Sequence, residues 1–261
     1  MIYNRITTTR RFLWSNILVL RRNFRFVASL CLKMAASTKV PEMNEAEVFS
    51  EVSQQISRYI NCLGDPNRNT RKKGLEAINK EIFASHKNIP LSVLMQVFDE
   101  LTPTLAKLLT DPVEKCRELA LNLLQKYLES SKNYSSAVSY IIPILVQRLG
   151  QQEITEPSEE IRDELIQLMA VFIQQLERKN AVYLDDYIKI LSRTICDPFP
   201  EAKKHSCHCA SVLAKSIPAD FHQQSESLIS PLLQSITHQH SKVRVAVVNT
   251  IGKLRAFLLT L

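Results

Sequence analysis

The sequence predicts an all-α fold, an α-solenoid of about five stacked helix pairs. Three observations predict it. Gly is scarce, with 4 in 261 residues, while Leu, Ala, Lys, Gln and Glu are plentiful, a composition that favours helix over sheet. Five short stretches recur at nearly even spacing. Within the units they mark, apolar residues return with the helical period.

The stretches are "DPNRNTRKKGL" from Asp65, "DPVEKCRELAL" from Asp111, "EPSEEIRDELI" from Glu156, "DPFPEAKKHSC" from Asp197 and "HQHSKVRVAVV" from His238. Their starts lie 46, 45, 41 and 41 residues apart. All but the last open with an acid followed by Pro. Six positions on comes a basic residue: Arg71, Arg117, Arg162, Lys203 and Arg244. Ten positions on comes an apolar residue or a thiol: Leu75, Leu121, Ile166, Cys207 and Val248. A period of about 40–47 residues with two helices per unit is the HEAT/armadillo signature.

Along the chain, residues 1–33 hold seven basic residues and no acid. They read as translated upstream sequence or an alternative start ahead of Met34, with a mitochondrial transit peptide as the alternative. Residues 34–46 read as a flexible lead-in, and 47–261 as the repeat array. The expected units lie near 47–85, 91–130, 134–178, 181–216 and 219–259. In the first four, the acid is expected to cap the second helix and Pro to fit its first turn. The second helix of the second unit shows the stripe plainly, through Val113, Cys116, Leu119, Ala120, Leu123, Leu124, Tyr127 and Leu128. One pair cannot bury such a stripe alone, so neighbouring pairs must stack. The leucine columns are expected to hold the stack, at about 1.5–3 kcal/mol per buried Leu. Acid–base pairs between repeats, read as exposed, would contribute roughly 0–1 kcal/mol each and set register. Asp65, Arg71, Asp111, Arg117, Glu156, Arg162 and Asp197 are the structural positions of this pattern. The apolar end "KLRAFLLTL" lacks the polar cap that a solenoid needs, and reads from about Arg255 as an alternative terminus.

Groups able to do chemistry are densest in "CDPFPEAKKHSCHC" (196–209), with three cysteines and two histidines. The repeat alignment decides against a metal. Cys207 shares a column with Leu75, Leu121, Ile166 and Val248, and Cys209 with Ala77, Leu123, Leu168 and Thr250. His208 falls with Glu76, Asn122, Gln167 and Asn249. The thiols therefore belong to the core, where a free Cys behaves as a small hydrophobe. Residues two apart on a helix also point about 200° apart, which is poor for ligating one ion. His205 lies in a mixed column and settles nothing. Glu159–Glu160 and Asp185–Asp186 fall at helix starts and suit the helix dipole. "RKK" (71–73) and "KK" (203–204) read as solvated faces, and "HQH" (238–240) as a solvated turn. No phosphate loop, nucleophile elbow or H-E-x-x-H appears, so no enzyme, cofactor or metal is expected.

The net charge of +7 resides in the leader: beyond residue 33, 26 Lys and Arg balance 26 Asp and Glu. A nucleic-acid protein would carry a basic field in its folded part, and the apolar runs are too short to span a bilayer. The six irregularly spaced cysteines read as reduced thiols of a cytosolic protein.

The strings "DPF", "SCHCA", "DFHQQSESLI" and "SITHQHSKVRVA", within 196–254, closely resemble the dynein axonemal assembly factor 5 family of HEAT-repeat proteins. "LTDPVEKCRELALNLL" and "LDDYIKILSRTICDPF" resemble it more loosely, and the likeness covers about residues 47–254. It implies a cytoplasmic, non-catalytic scaffold for pre-assembly of the axonemal dynein arms of motile cilia. The implied partners are dynein chains, including intermediate chains, and other assembly factors. Family members run longer. A generic HEAT adaptor in transport or phosphatase-type complexes is the alternative. Lys203, Lys204, His238, His240, Lys242 and Arg244, at turns and second-helix starts, are the expected partner contacts, chosen for their expected exposure.

Overall fold

The computed structural model describes residues 44–84 and 89–258. The leader, and the lead-in up to residue 43, lie outside them. Among the described residues the chain is helical with no strand.

The helices come in pairs. The first pair is α1 (Glu45–Cys62) and α2 (Arg68–Asn79); the second is α3 (Leu91–Leu108) and α4 (Glu114–Ser131). The third is α5 (Tyr134–Leu149) and α6 (Glu159–Leu176), and the fourth α7 (Leu184–Thr194) and α8 (Pro200–Ser216). In the fifth, the leading helix is broken into α9 (Pro218–Gln224) and α10 (Ile229–Ser235), joined by a 3-10 turn and followed by α11 (Ser241–Leu258). Leading helices stack on leading helices: α1 on α3, α3 on α5, α5 on α7, and α7 on the 3-10 turn. Second helices stack likewise: α2 on α4, α4 on α6, α6 on α8, α8 on α11. The result is a two-layer solenoid whose core runs as one band between the layers.

Periodicity explains the burial. In α4, Cys116, Ala120, Leu121, Leu123, Leu124, Tyr127 and Leu128 are buried, and Val113 and Leu119, half-buried, flank them. Tyr127 stacks on Phe98 of α3, with ring centroids 4.1 Å apart and planes 3° from parallel. This joins the two helices of one pair by an aromatic contact. Between α6 and α7, Asn180 is buried, and its amide donates to the carbonyls of Ile173 and Glu177. Tyr187 donates its hydroxyl to the Asn180 oxygen at 3.2 Å, so one polar residue ties the connection shut.

The turns differ from expectation in one respect. The acid does not cap the helix itself. The Oδ1 of Asp65, Asp111 and Asp197 and the Oε1 of Glu156 accept the N–H two residues on, at Asn67, Val113, Phe199 and Ser158 respectively. This closes the turn, and α2, α4, α6 and α8 begin one residue later. A carboxylate reaches a backbone N–H two residues ahead without strain, with Pro fixing the first turn residue. Pro200 alone of these turns' prolines opens a helix.

Candidate interaction surface

Six residues after each acid, the basic residue points along the stack. Arg71 donates from Nε to Asp111 Oδ2 at 2.6 Å and from Nη2 to Oδ1 at 2.9 Å. Arg117 repeats this on Glu156, at 2.7 and 2.6 Å, and Arg162 on Asp197, at 2.8 and 3.0 Å. The other guanidinium nitrogen, Nη1, holds the arginine's own turn. It donates to the carbonyls of Asp65 and Pro66, of Asp111 and Pro112, and of Glu156 and Pro157, in turn. Each arginine thus grips its own turn with one nitrogen and the next repeat's acid with the other two. The planar fork of Arg suits this two-point geometry, and Lys cannot reproduce it.

These pairs are buried, with side-chain exposures of 10% and 3% for the first, 4% and 0% for the second, and 6% each for the third. This corrects their reading as exposed. It also corrects the reading of "RKK" as wholly solvated, because Arg71 lies inside. Stacked repeats bring each turn against the next and bury the guanidinium between them. Glu156 additionally takes Arg148 from α5. Burial alone would raise the Glu156 pKa. The hydrogen bonds from Arg117, Arg148 and Ser158 outweigh it and hold the carboxyl below its usual range.

The fourth rung is different. Lys203 is 7% exposed, and its ammonium donates to the Ile195 carbonyl at 3.4 Å and Ser235 Oγ at 3.3 Å. Its expected exposure as a partner contact is therefore overturned. It occupies the buried rung column and meets Ser235, while the acid's position in the fifth repeat is taken by His238. Lys204 is half-buried and pairs with Glu201 at 2.5 Å. His240, Lys242 and Arg244 are exposed and His238 half-exposed, with the two imidazoles 5.3 Å apart. Lys204, His240 and Lys242 share a groove of about 370 Å³ with Glu201 and Val243. The structure thus brings three of the six sequence-chosen residues together.

Cys207 and Cys209 are buried, at 1% and 0% exposure, and His208 is exposed, as their columns indicated. Burial pushes the Cys207 thiol up to about 11 and the Cys209 thiol further. Among the described residues no three His, Cys, Asp or Glu side chains group to hold a metal, and no helix is long and apolar enough to cross a membrane. His205 Nδ1 lies 2.5 Å from Asp163 Oδ1 of α6, a contact between repeats that its mixed column did not signal.

The comparisons with known proteins fall on this framework. Residues 62–257 match the family described as "Dynein axonemal assembly factor 5-like, TPR repeats". The chain is 45% identical to dynein axonemal assembly factor 5 of Xenopus laevis over 208 residues, which is 80% of the chain and 25% of the relative. It is 35% identical to the Mus musculus protein of that name, over 83% of the chain and 26% of the relative, and 34% to the Homo sapiens one, over 79% and 25%. The chain therefore spans about a quarter of the length of these relatives. Among solved structures it is similar to an engineered protein (TM-score 0.56, 12% identity, covering 84% of this chain and 94% of that one). It is also similar to a designed armadillo repeat protein (TM-score 0.53, 18% identity, 85% and 98%). At these identities the structures speak for the fold alone, a repeat solenoid. The turn spacings of 46, 45, 41 and 41 residues likewise exceed the roughly 34 of a tetratricopeptide unit and fit the HEAT/armadillo class.

Proposed function

The chain belongs to the dynein axonemal assembly factor 5-like family, and from that premise we propose that it serves the cytoplasmic pre-assembly of axonemal dynein arms for motile cilia. It does so as a non-enzymatic repeat scaffold. Its partners in this reading are axonemal dynein chains, the intermediate chains among them, and other assembly factors. The observation that carries the reading is the family match across residues 62–257. The fold supports it, because a two-layer stack offers extended ridges for large partners.

The repeat array 47–261 is the scaffold in this reading, preceded by the segments 1–33 and 34–46. The groove that gathers Lys204, His240 and Lys242 is its partner contact, with His238 beside it and Lys203 excluded by burial. Basic groups at a turn suit an acidic segment of a partner.

Affinity purification from ciliating cells tests this, with the chain as bait beside Lys204→Glu/Lys242→Glu. Dynein chains or assembly factors on the parent bait, and fewer on the variant, support both the role and the groove. Equal recovery on both baits removes the groove. Recovery of chaperones and proteasome components alone overturns the role.

A further inference from the structure

The third turn is longer than its counterparts. The turns between the two helices of a pair span residues 63–67, 109–113, 195–199 and 236–240, five residues each, whereas the third spans 150–158, nine residues. The acid stands third in the first, second and fourth turns and seventh in this one, so the four extra residues lie between the end of α5 and Glu156. Glu156 still closes its turn on Ser158 and still takes Arg117, so the rung is kept and the added chain is carried beside it. Glu153 and Ile154 of that added chain are exposed, Ile154 at 56%. Loops that depart from a rigid, regular scaffold are where binding residues concentrate.

The extra residues wall a pocket of about 450 Å³. Three consecutive repeats bound it: the long loop of the third, the turn of the fourth at Cys196 and Pro198, and α10 of the fifth at Pro231 and Gln234. The Cys196 thiol donates to Gln234 Oε1 at 3.2 Å, which fastens two of these walls together. A volume of this size lies in the range of ligand-binding clefts.

Its charges are unevenly met. Asp197 is taken by both Nε and Nη2 of Arg162. Arg148, whose side chain is 10% exposed, shares Glu156 with Arg117, and its buried Nε meets no hydrogen-bond partner among the described residues. Arg193, in the last turn of α7, is exposed and makes no ion pair among the described residues. Glu153 is the one carboxylate of the pocket wall outside these pairs. Four arginines thus stand against three carboxylates. Ile154, Pro198 and Pro231 add apolar surface, and the exposed Gln152 and Gln234 add amides that both donate and accept.

We propose that this pocket docks an acidic segment of a partner protein, an extended peptide that sets a carboxylate on Arg193 and an adjacent apolar side chain against Ile154 and Pro198. The guanidinium of Arg193 offers a carboxylate a two-point contact. The dry charge of Arg148 attracts the same carboxylate and is little screened by salt. The glutamine amides meet the peptide main chain. The surplus of arginine selects against a basic segment, because like charges at a contact are costly. The pocket shares no lining residue with the groove of Lys204 and Lys242, so either contact can fail without the other.

Selection of short random peptides, displayed on phage, against the full chain tests it. The selected peptides are expected to carry Asp or Glu beside an apolar residue. They should bind Arg193→Glu roughly tenfold or more weakly, and Lys204→Glu/Lys242→Glu as well as the parent. Deletion of residues 151–154, which shortens the turn to five residues and keeps Glu156, should abolish binding. Helical circular dichroism verifies that the variants fold. Bound peptide should also slow alkylation of Cys196, which lines the pocket, and leave Cys62 unaffected. A selection that enriches nothing, or enriches peptides without carboxylates, overturns the proposal. So do peptides that bind Arg193→Glu unchanged, that are lost on Lys204→Glu/Lys242→Glu instead, or that leave Cys196 as reactive as before.

Discussion

Arg117 and Glu156 lie 39 residues apart in the chain and meet through two parallel hydrogen bonds, at 2.7 and 2.6 Å, with exposures of 4% and 0%. This pair and its two counterparts are where the repeat pattern becomes a physical connection. A buried pair of this kind is costly to break, because removing one partner leaves the other charged and dry.

Arg162→Leu is therefore expected to destabilise the array by about 3–5 kcal/mol, read as a lowered urea midpoint. Arg162→Leu/Asp197→Leu should recover much of that loss, since neither charge is then left unpaired. Equal losses in the single and double variants would show that the arginine acts only through its own turn's carbonyls.

Acid should weaken the second rung in a defined direction. The folded Glu156 pKa is depressed, so the unfolded chain takes up the proton first as pH falls. The contribution is complete above the unfolded value and is lost as pH drops through the lower folded value. The stability difference between the parent and Glu156→Gln should thus be largest near neutrality and shrink below the usual carboxylate range. Chemical denaturation at several pH values reads it.

Tyr127 presents a test of an unmet polar group. Among the described residues its buried hydroxyl meets no hydrogen-bond partner, while its ring stacks on Phe98. Tyr127→Phe should leave stability unchanged or raise it by about 1 kcal/mol, because a buried unsatisfied hydroxyl is removed. Tyr127→Ala should cost about 3–5 kcal/mol through the cavity it opens. Thermal melts of the two variants separate ring from hydroxyl.

The backbone carries one further prediction. Lys132 ends α4 at φ 52° and ψ 20°, in the left-handed region. Lys132→Gly should stabilise by about 1 kcal/mol, since glycine adopts this geometry without steric cost. A lower melting temperature would mean that the Lys132 side chain contributes something beyond its backbone.

Thiol reactivity follows from burial. Cys207 and Cys209 should resist alkylation in the native chain at neutral pH and react on unfolding, because burial holds both as neutral thiols. Peptide mapping after brief native labelling would show half-buried Cys62 and Cys196 modified ahead of them.

The fold was legible because stacked helix pairs impose a long period that sequence displays directly. The five turn motifs and the α4 stripe sufficed. Alignment of columns also placed Cys207 and Cys209 in the core and His208 outside. What sequence did not display was which charges were dry. Arg71 and Lys203 sit in basic runs beside Lys73 and Lys204, and composition treats such neighbours alike. Burial separates them through helix phase and through the turn of the next repeat some 40 residues on, information that a local window lacks. Choosing partner contacts by expected exposure therefore failed at Lys203, whereas Arg244, in the same column, is exposed because nothing described stacks beyond it.

The rungs also impose an order in time. Each arginine precedes the acid it holds by 40, 39 and 35 residues in the three complete pairs. As the polypeptide leaves the ribosome, each arginine emerges before its acid. In each of the three pairs the arginine therefore waits for an acid that belongs to the following repeat. Each newly emerged repeat supplies the carboxylate that the arginine before it lacks, so every rung closes only when two repeats stand complete.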